Sequence, residues 1–374
     1  MSKLPRLMLS STRGKSGKTV VSLAVMLRLK ELGLKIQPFK VGPDFIDPSY
    51  HTLVTGVPSR NLDIIMFGRE RLLNTFVSRA AGADISVIEG VFGLYDSPDG
   101  LTEQGSSAEV AKVISCPVVL IVDAERANRS LLAIIRGFKA FDPSVQLKGL
   151  ILNNVGTLRQ AEKIQKAAQA TIPDIQILGS VPRSRFVEDS FSYRHLGLIH
   201  SAERQQDEEK IKKAASTVAE NIDIDAVKEI ATAAADLPQP EAVDIAPTKL
   251  DVKVGVIRDK VFSFYYPENI EYLESHAEHV YYLDSSADTD LPDLDLLYIS
   301  GGFPEVYAAQ LRQNNGLKNS VRRQYSAGMQ IYAECGGLMY LSKSITDTQG
   351  KTHEMVGLID GTVQMEKKPR LRNP

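Results

Sequence analysis

The sequence predicts an α/β protein of more than one domain, the first built on a parallel sheet covered by helices on both faces. Three observations carry this. Short apolar runs alternate with helical patterns through the first half; a glycine-rich loop joins the first strand to the first helix; and a second alternating pattern begins after a proline-rich stretch. A length of 374 residues is long for one core and fits two or three domains.

In chain order, strands are expected at 6–10, 36–41, 85–89, 117–122, 149–153 and 176–179, with helices such as 19–32 and 70–80 between them. The charged, alanine-rich stretch 202–235 reads as helix. "LPQPEAVDIAPT" (237–248) has three prolines and no periodicity, so a linker is expected over 237–250. Further strands are expected at 252–257, 296–299 and 330–333. This divides the chain into 1–236, the linker, and 251–374.

Composition excludes several classes. A hydrophobic content of 43%, a charged content of 24% and a formal net charge of −2 are ordinary for a globular chain and give no global attraction to nucleic acid or an acidic membrane. Two cysteines make no disulfide framework and have no zinc-like spacing, which points to a reducing cytoplasm. The N-terminus lacks a signal-peptide apolar core, and no run approaches the roughly 20 apolar residues of a membrane span.

"SSTRGKSGKT" (10–19) follows a strand and opens a helix, the context of a phosphate loop. Backbone N–H groups over Gly14, Lys15, Ser16 and Gly17 would cradle phosphates of ATP; Lys18 would reach the β- and γ-phosphates and Thr19 would offer a hydroxyl to Mg²⁺. The loop is a variant, with Thr12 where glycine is usual. "KVGPDFIDPSYH" (40–51) places Asp44 and Asp47 on one loop, either as Mg²⁺ ligands or as ordinary turn and cap residues. Glu89 ends an apolar strand, where α/β sheets present ligand-binding groups, and Asp96 lies on the next loop. His51 and His195 have no metal-like neighbour and read as surface or core-satisfied residues. Cys116, in "VISCPVV", reads as a buried structural thiol. "YAECGGLMY" (332–340) mounts Cys335 as a nucleophile often is, on a tight turn between strand and helix.

Several long motifs then coincide in order: "KVGPDFIDPSYH", "RNLD" (60–63), "IEGVFGLYD" (88–96), "RHLGL" (194–198), "FSFYYPENIEYL" (262–273), "SGGFPEVYA" (300–308) and "AECGGLMYL" (333–341). The chain resembles the cobyrinic acid a,c-diamide synthases, glutamine-dependent ATP enzymes of corrinoid biosynthesis. The resemblance implies an N-terminal P-loop domain of the dethiobiotin synthetase type, binding MgATP and a tetrapyrrole polycarboxylate, and a C-terminal class I glutamine amidotransferase domain. It implies roles for Lys40 near phosphate or the substrate carboxylate, and for Asp44, Asp47, Glu89 and Asp96 in ATP, Mg²⁺ and carboxylate activation. Catalysis is expected of Cys335, Lys40, Asp44 and Asp96, and metal binding of Thr19, Asp47 and Glu89. The N–H of Gly336, with one from the turn that includes Gly302 and Phe303, would form the oxyanion hole, and the turn before a helix would favour the Cys335 thiolate. Members usually carry small residues where Arg13 and Lys15 stand; these extra charges would pair with substrate carboxylates or face solvent.

In the family the catalytic histidine lies near the C-terminus, in a segment like Gly-His-Glu-Phe-His. This chain ends "GTVQMEKKPRLRNP", and His353 matches no such position. The expectation is a C-terminally truncated glutaminase domain with weak or no glutaminase activity, the alternatives being a base from another chain or use of free ammonia. Other readings are the same chemistry on Ni-sirohydrochlorin or a sirohaem-type ring, a nucleotide-switch partition protein, and a non-catalytic nucleotide-binding scaffold. A homodimer is compatible with all of them.

Overall fold

The computed structural model describes residues 3–191, 201–238 and 248–366. The described residues form two compact units, one running to residue 238 and one starting at residue 248. The motif at 194–198, His195 and most of the proline-rich stretch lie outside the described residues.

The first unit runs β1 (Arg6–Ser11), α1 (Lys18–Glu31), β2 (Ile36–Val41), α2 (Ile46–Thr55), β3 (Arg60–Leu62), α3 (Ile64–Ala80), β4 (Ile85–Glu89), α4 (Ser107–Val113), β5 (Val118–Asp123), α5 (Ser130–Phe141), β6 (Leu147–Val155), α6 (Leu158–Thr171), β7 (Gln176–Pro182), α7 (Arg185–Ser190), α8 (Ser201–Ala219) and α9 (Ile224–Thr232). Its seven strands form one parallel sheet in the order β3-β2-β4-β1-β5-β6-β7. The central strands β1, β4 and β5 read as apolar runs through their middles because they feed two cores. Leu7, Leu9, Val87, Val119 and Ile121 face one helical layer. Met8, Ile88, Val118, Leu120 and Val122 face the other. Each such side chain contributes roughly 1.5–3 kcal/mol when fully buried, so the pattern specifies a two-faced sheet strongly.

Two expectations need correction. The stretch 202–235 is two helices: the first ends at Ala219, and Asp223 caps the second, its side chain accepting from Ala226 N at 3.0 Å. The stretch 40–51 is half helix. Pro48 sits in the first turn of α2, where its missing N–H costs nothing, so proline there does not signal a loop. The "RNLD" motif is now intelligible: Asn61 Nδ2 donates to Gly42 O and Asp44 O, both at 2.8 Å, pinning the turn after β2. Asp63 caps α3, accepting from Ile65 N and Met66 N.

The second unit runs β8 (Leu250–Ile257), α10 (Pro267–His276), β9 (Ala277–Leu283), β10 (Leu296–Ile299), α11 (Ala308–Gln313), α12 (Asn315–Ser326), β11 (Gln330–Ala333), α13 (Gly336–Leu341), β12 (Ser342–Thr346), β13 (Thr352–Glu354) and β14 (Ile359–Gln364). A four-stranded parallel sheet has the order β11-β10-β8-β9, and a mixed three-stranded sheet the order β13-β12-β14. Leu297 and Ile299 of β10 enter one core and Tyr298 the other. The strands β12 to β14 escaped the sequence reading because they are largely polar, without an apolar run, and β9 because its Val280–Leu283 run is short and half-exposed. His353 sits within β13, buried, with Nε2 3.0 Å from Asp347 Oδ2.

Arg6 ties the first unit together. It is fully buried on β1, and its guanidinium donates to Ile114 O (2.7 Å), Leu4 O (2.8 Å), Ser115 O (3.0 Å) and Ala235 O (2.6 Å). It thus joins the central strand to the turn before β5 and to the chain after α9. Arg6→Met leaves these carbonyls without their donor and is expected to cost about 3 kcal/mol or more, measured by urea unfolding. A loss below about 1 kcal/mol would contradict this account.

Candidate active sites

The phosphate loop leaves β1 at Ser11 and enters α1 at Lys18. Gly17 caps α1 with φ of 85°, and no side chain caps the helix. The N–H groups of Lys18, Thr19 and Val20 find no acceptor among the described residues, which leaves a helix N-terminus ready for an anion. Gly17 is required twice: its φ is left-handed, and a Cβ there would lie 2.2 Å from Asn153 Nδ2. Asn153, at the end of β6, braces the loop by donating to Ser16 O at 2.9 Å. Lys18 is nearly buried, and its Nζ donates to Phe92 O (2.6 Å) and Ser11 Oγ (3.2 Å). Burial lowers its pKa, against the raising effect of Glu89.

Beside this loop, Lys40, Asp44, Asp47 and Glu89 converge. Lys40 Nζ lies 2.6 Å from Asp47 Oδ2, 3.1 Å from Glu89 Oε1 and 3.7 Å from Asp44 Oδ2. It also donates to Gly90 O. Thr19 Oγ1 donates to Glu89 Oε1 (2.9 Å) and approaches Asp47 Oδ1 (3.3 Å). Burial opposes the Lys40 charge, but Glu89, Asp47 and Asp44 outweigh it and hold its pKa above the usual lysine range. Burial, reinforced by the Glu89 charge, pushes the Asp47 carboxyl up to about 6. For Glu89, burial is outweighed by the Lys40 charge and by hydrogen bonds from His51 and Lys40, which hold its carboxyl well below the usual range.

These groups line a cavity of about 520 Å³ together with Tyr50, Val91, Phe92 and Phe191. A larger cleft of about 920 Å³ opens at the other end of the sheet, among Gln146, Lys148 and Gln176. It has neither the glycine loop nor the carboxylates, so the chemistry favours the smaller cavity.

The structure brings Thr19, Lys40, Asp47 and Glu89 together as a cluster. It gives Asp44 a double role: Oδ1 accepts from Ile46 N and Asp47 N at the start of α2, and Oδ2 faces Lys40. Asp96 does not join the cluster through any hydrogen bond; its Oδ2 accepts from Gly93 N at 2.7 Å and shapes the loop after β4. Lys15 is exposed with φ of 60°. Arg13 is largely exposed, as the solvent-facing alternative expected, and its guanidinium also pairs with Asp123 at the end of β5, 2.9 Å away. Sequence reasoning missed Asn153 and Asp123, though both stand at the C-terminal ends of strands, and it gave His51 no role.

Mg²⁺ fits the donors. Among the described residues no three His, Cys, Asp or Glu side chains form a ready metal cage. Mg²⁺ normally takes only one or two carboxylates and completes its shell with phosphate and water, and Thr19, Asp47 and Glu89 present three hard oxygen groups beside a phosphate loop.

In the second unit, Cys335 is exposed and stands between β11 and α13 at φ 46°, ψ −109°, a strained backbone for a residue with a side chain. The glycines around it allow close passage of the chain. A Cβ on Gly337 would lie 2.2 Å from Ile299 O, and one on Gly336 would lie 3.1 Å from Gly302 N. The Gly336 and Gly302 N–H groups find no acceptor among the described residues, whereas Phe303 N donates to Val261 O at 2.9 Å. The expectation of Phe303 as an oxyanion donor is therefore corrected: its N–H is already engaged, and the available pair is Gly302 and Gly336. Among the described residues no histidine nitrogen lies within hydrogen-bond reach of the Cys335 thiol.

Comparison with known proteins matches both units. Residues 7–196 match a CobQ/CobB/MinD/ParA nucleotide binding domain and residues 253–373 a CobB/CobQ-like glutamine amidotransferase domain. The chain is 45% identical to the cobyrinate a,c-diamide synthase of Archaeoglobus fulgidus, over 98% of this chain and 79% of that one. It is 39% identical to the Methanosarcina acetivorans enzyme of the same name, over 96% of this chain and 76% of that one. The chain belongs to the cobyrinate a,c-diamide synthase family.

Membership in the synthase family gives the two thiols distinct meanings. Cys116 is buried in the core just before β5, and burial pushes its pKa up to about 12; Cys335 is open on its turn. Native protein treated with iodoacetamide at pH 8 should therefore take up one equivalent, at Cys335, by peptide mass mapping. Modification of Cys116 at a comparable rate would contradict the packing described.

Proposed function

We propose that this chain catalyses ATP-dependent amidation of the a- and c-side-chain carboxylates of cobyrinate, with ammonia released from glutamine at Cys335. The observation that carries the synthetase half is the phosphate loop beside the Lys40–Asp47–Glu89–Thr19 cluster, in which Lys40 and Glu89 are buried. A carboxylate is a poor electrophile, because amidation would have to expel oxide. Transfer of the ATP γ-phosphoryl group to a carboxylate oxygen gives an acyl phosphate and ADP; ammonia then forms the C–N bond and phosphate leaves with that oxygen.

The work of the protein is positioning and charge neutralisation. The free N–H groups of α1 and Lys18 bind the phosphates. Lys40, whose charge the carboxylates stabilise, offers a fixed cation next to them. Thr19, Asp47 and Glu89 are the proposed ligands of Mg²⁺, which when bound neutralises phosphate charge. Asp44 holds the start of α2, and Asp96 keeps the loop carrying Phe92 O against Lys18.

At the second site, Cys335 attacks the glutamine amide carbon to give a thioester and ammonia, with Gly302 and Gly336 N–H groups placed to bind the oxyanion. Two unpaired thiols support a reducing cytoplasm as the setting. Among the described residues no helix is long and apolar enough to cross a membrane.

The test is amide formation on cobyrinate with MgATP, using ammonium and glutamine in turn. Lys18→Met is expected to lower the rate with ammonium by about 10²-fold or more, because it removes a phosphate-binding charge. Cys335→Ser should leave the ammonium-supported rate unchanged and abolish any glutamine-supported rate. An ammonium-supported rate that falls with Cys335→Ser, or survives Lys18→Met, would overturn the assignment.

A further inference from the structure

His51 is fully buried and makes two hydrogen bonds that neither the phosphate loop nor the metal ligands account for. Its Nε2 lies 2.7 Å from Glu89 Oε2 and its Nδ1 3.1 Å from Ser59 Oγ. Ionised Glu89 only accepts, so in the neutral ring Nε2 carries the proton and Nδ1 accepts from the Ser59 hydroxyl. The Glu89 carboxylate is thereby divided: Oε2 is held by His51, and Oε1 alone faces Thr19 and Lys40.

His51 also lies one helical turn beyond Asp47 on α2, so the two share a face. The bond from His51 to β4 therefore clamps α2 to the strand that carries Glu89, and fixes Asp47 beside Thr19 and Lys40. Ser59, just before β3, holds the far side of the ring and sets its tilt.

We propose that His51 is a positioning residue that sets the divalent-cation site of the synthetase unit, acting through Glu89 Oε2 and through the placement of α2. This rests on the reading of Thr19, Asp47 and Glu89 as the metal ligands. Groups that orient metal ligands are worth about 10–100-fold in metal affinity or activity.

The experiment is Mn²⁺ binding, in the presence of ADP, to the full chain and its variants, read by the loss of the free-ion EPR signal. His51→Met keeps apolar volume but has no donor; it should weaken Mn²⁺ binding about tenfold or more. His51→Gln retains an N–H donor and should recover most of that loss. Should His51→Met not fold, Ser59→Ala carries the same prediction with a smaller weakening, and unchanged Mn²⁺ affinity in it overturns the proposal. A merely structural role would lower the thermal midpoint of His51→Met while leaving Mn²⁺ affinity at wild-type level, and that result also overturns it. Glu89→Gln separates the two levels: if it leaves Mn²⁺ affinity unchanged, the ligand reading itself fails; if it weakens binding while His51→Met does not, only the role of His51 fails.

Discussion

Everything at the synthetase site turns on one buried ionic arrangement, the Lys40 ammonium held between Glu89 and Asp47. Lys40 and Glu89 are both essentially inaccessible to water, so neither tolerates loss of the other. Removing one partner of such a pair typically costs about 3–5 kcal/mol, because the remaining charge is left buried and alone. The arrangement is worth keeping only where a fixed charge is needed. Here it stands at the C-terminal ends of β2 and β4, next to the uncapped start of α1, where a triphosphate brings several negative charges.

That arrangement depends on the topology. β1 lies between β4 and β5, with β2 beyond β4, so the phosphate loop after β1 and the carboxylates at the ends of β2 and β4 arrive at one edge of the sheet. The two apolar cores above and below hold the strands in register. Arg6 at the opposite end of β1 closes the other side with hydrogen bonds to four carbonyls. The Cys335 turn follows the same logic on a smaller sheet. A strained residue after a short strand is held by two glycines that no larger residue can replace without meeting Ile299 O or Pro304.

What the sequence made legible follows from which forces leave a local mark. Strands buried on both faces carry apolar side chains toward both cores, so β1, β2, β4 and β5 were readable despite the polar residues at their ends. A loop that must bind phosphate needs glycine and lysine at fixed places, so residues 14–19 were readable too. Polar strands such as β12 and β14 leave no such mark. Nor does a contact between residues far apart in sequence: Arg13 with Asp123 is a pair across 110 positions. His51 was hidden for a different reason. Its relation to Asp47 appears only when 46–55 is helical, and the Gly-Pro turn at 42–43 made that stretch look like a loop. The engagement of Phe303 N by Val261 O was beyond reach, since backbone hydrogen bonding between loops has no residue signature.

The central claim is that the first unit activates a carboxylate by phosphorylation. It is tested most directly by isotope transfer. Cobyrinate labelled with ¹⁸O in its carboxylates would be amidated with MgATP and ammonium, and the inorganic phosphate analysed by mass spectrometry. The account predicts one ¹⁸O atom in phosphate for each amide formed, because the oxygen that receives the phosphoryl group leaves with it. Amide formation with unlabelled phosphate would contradict it.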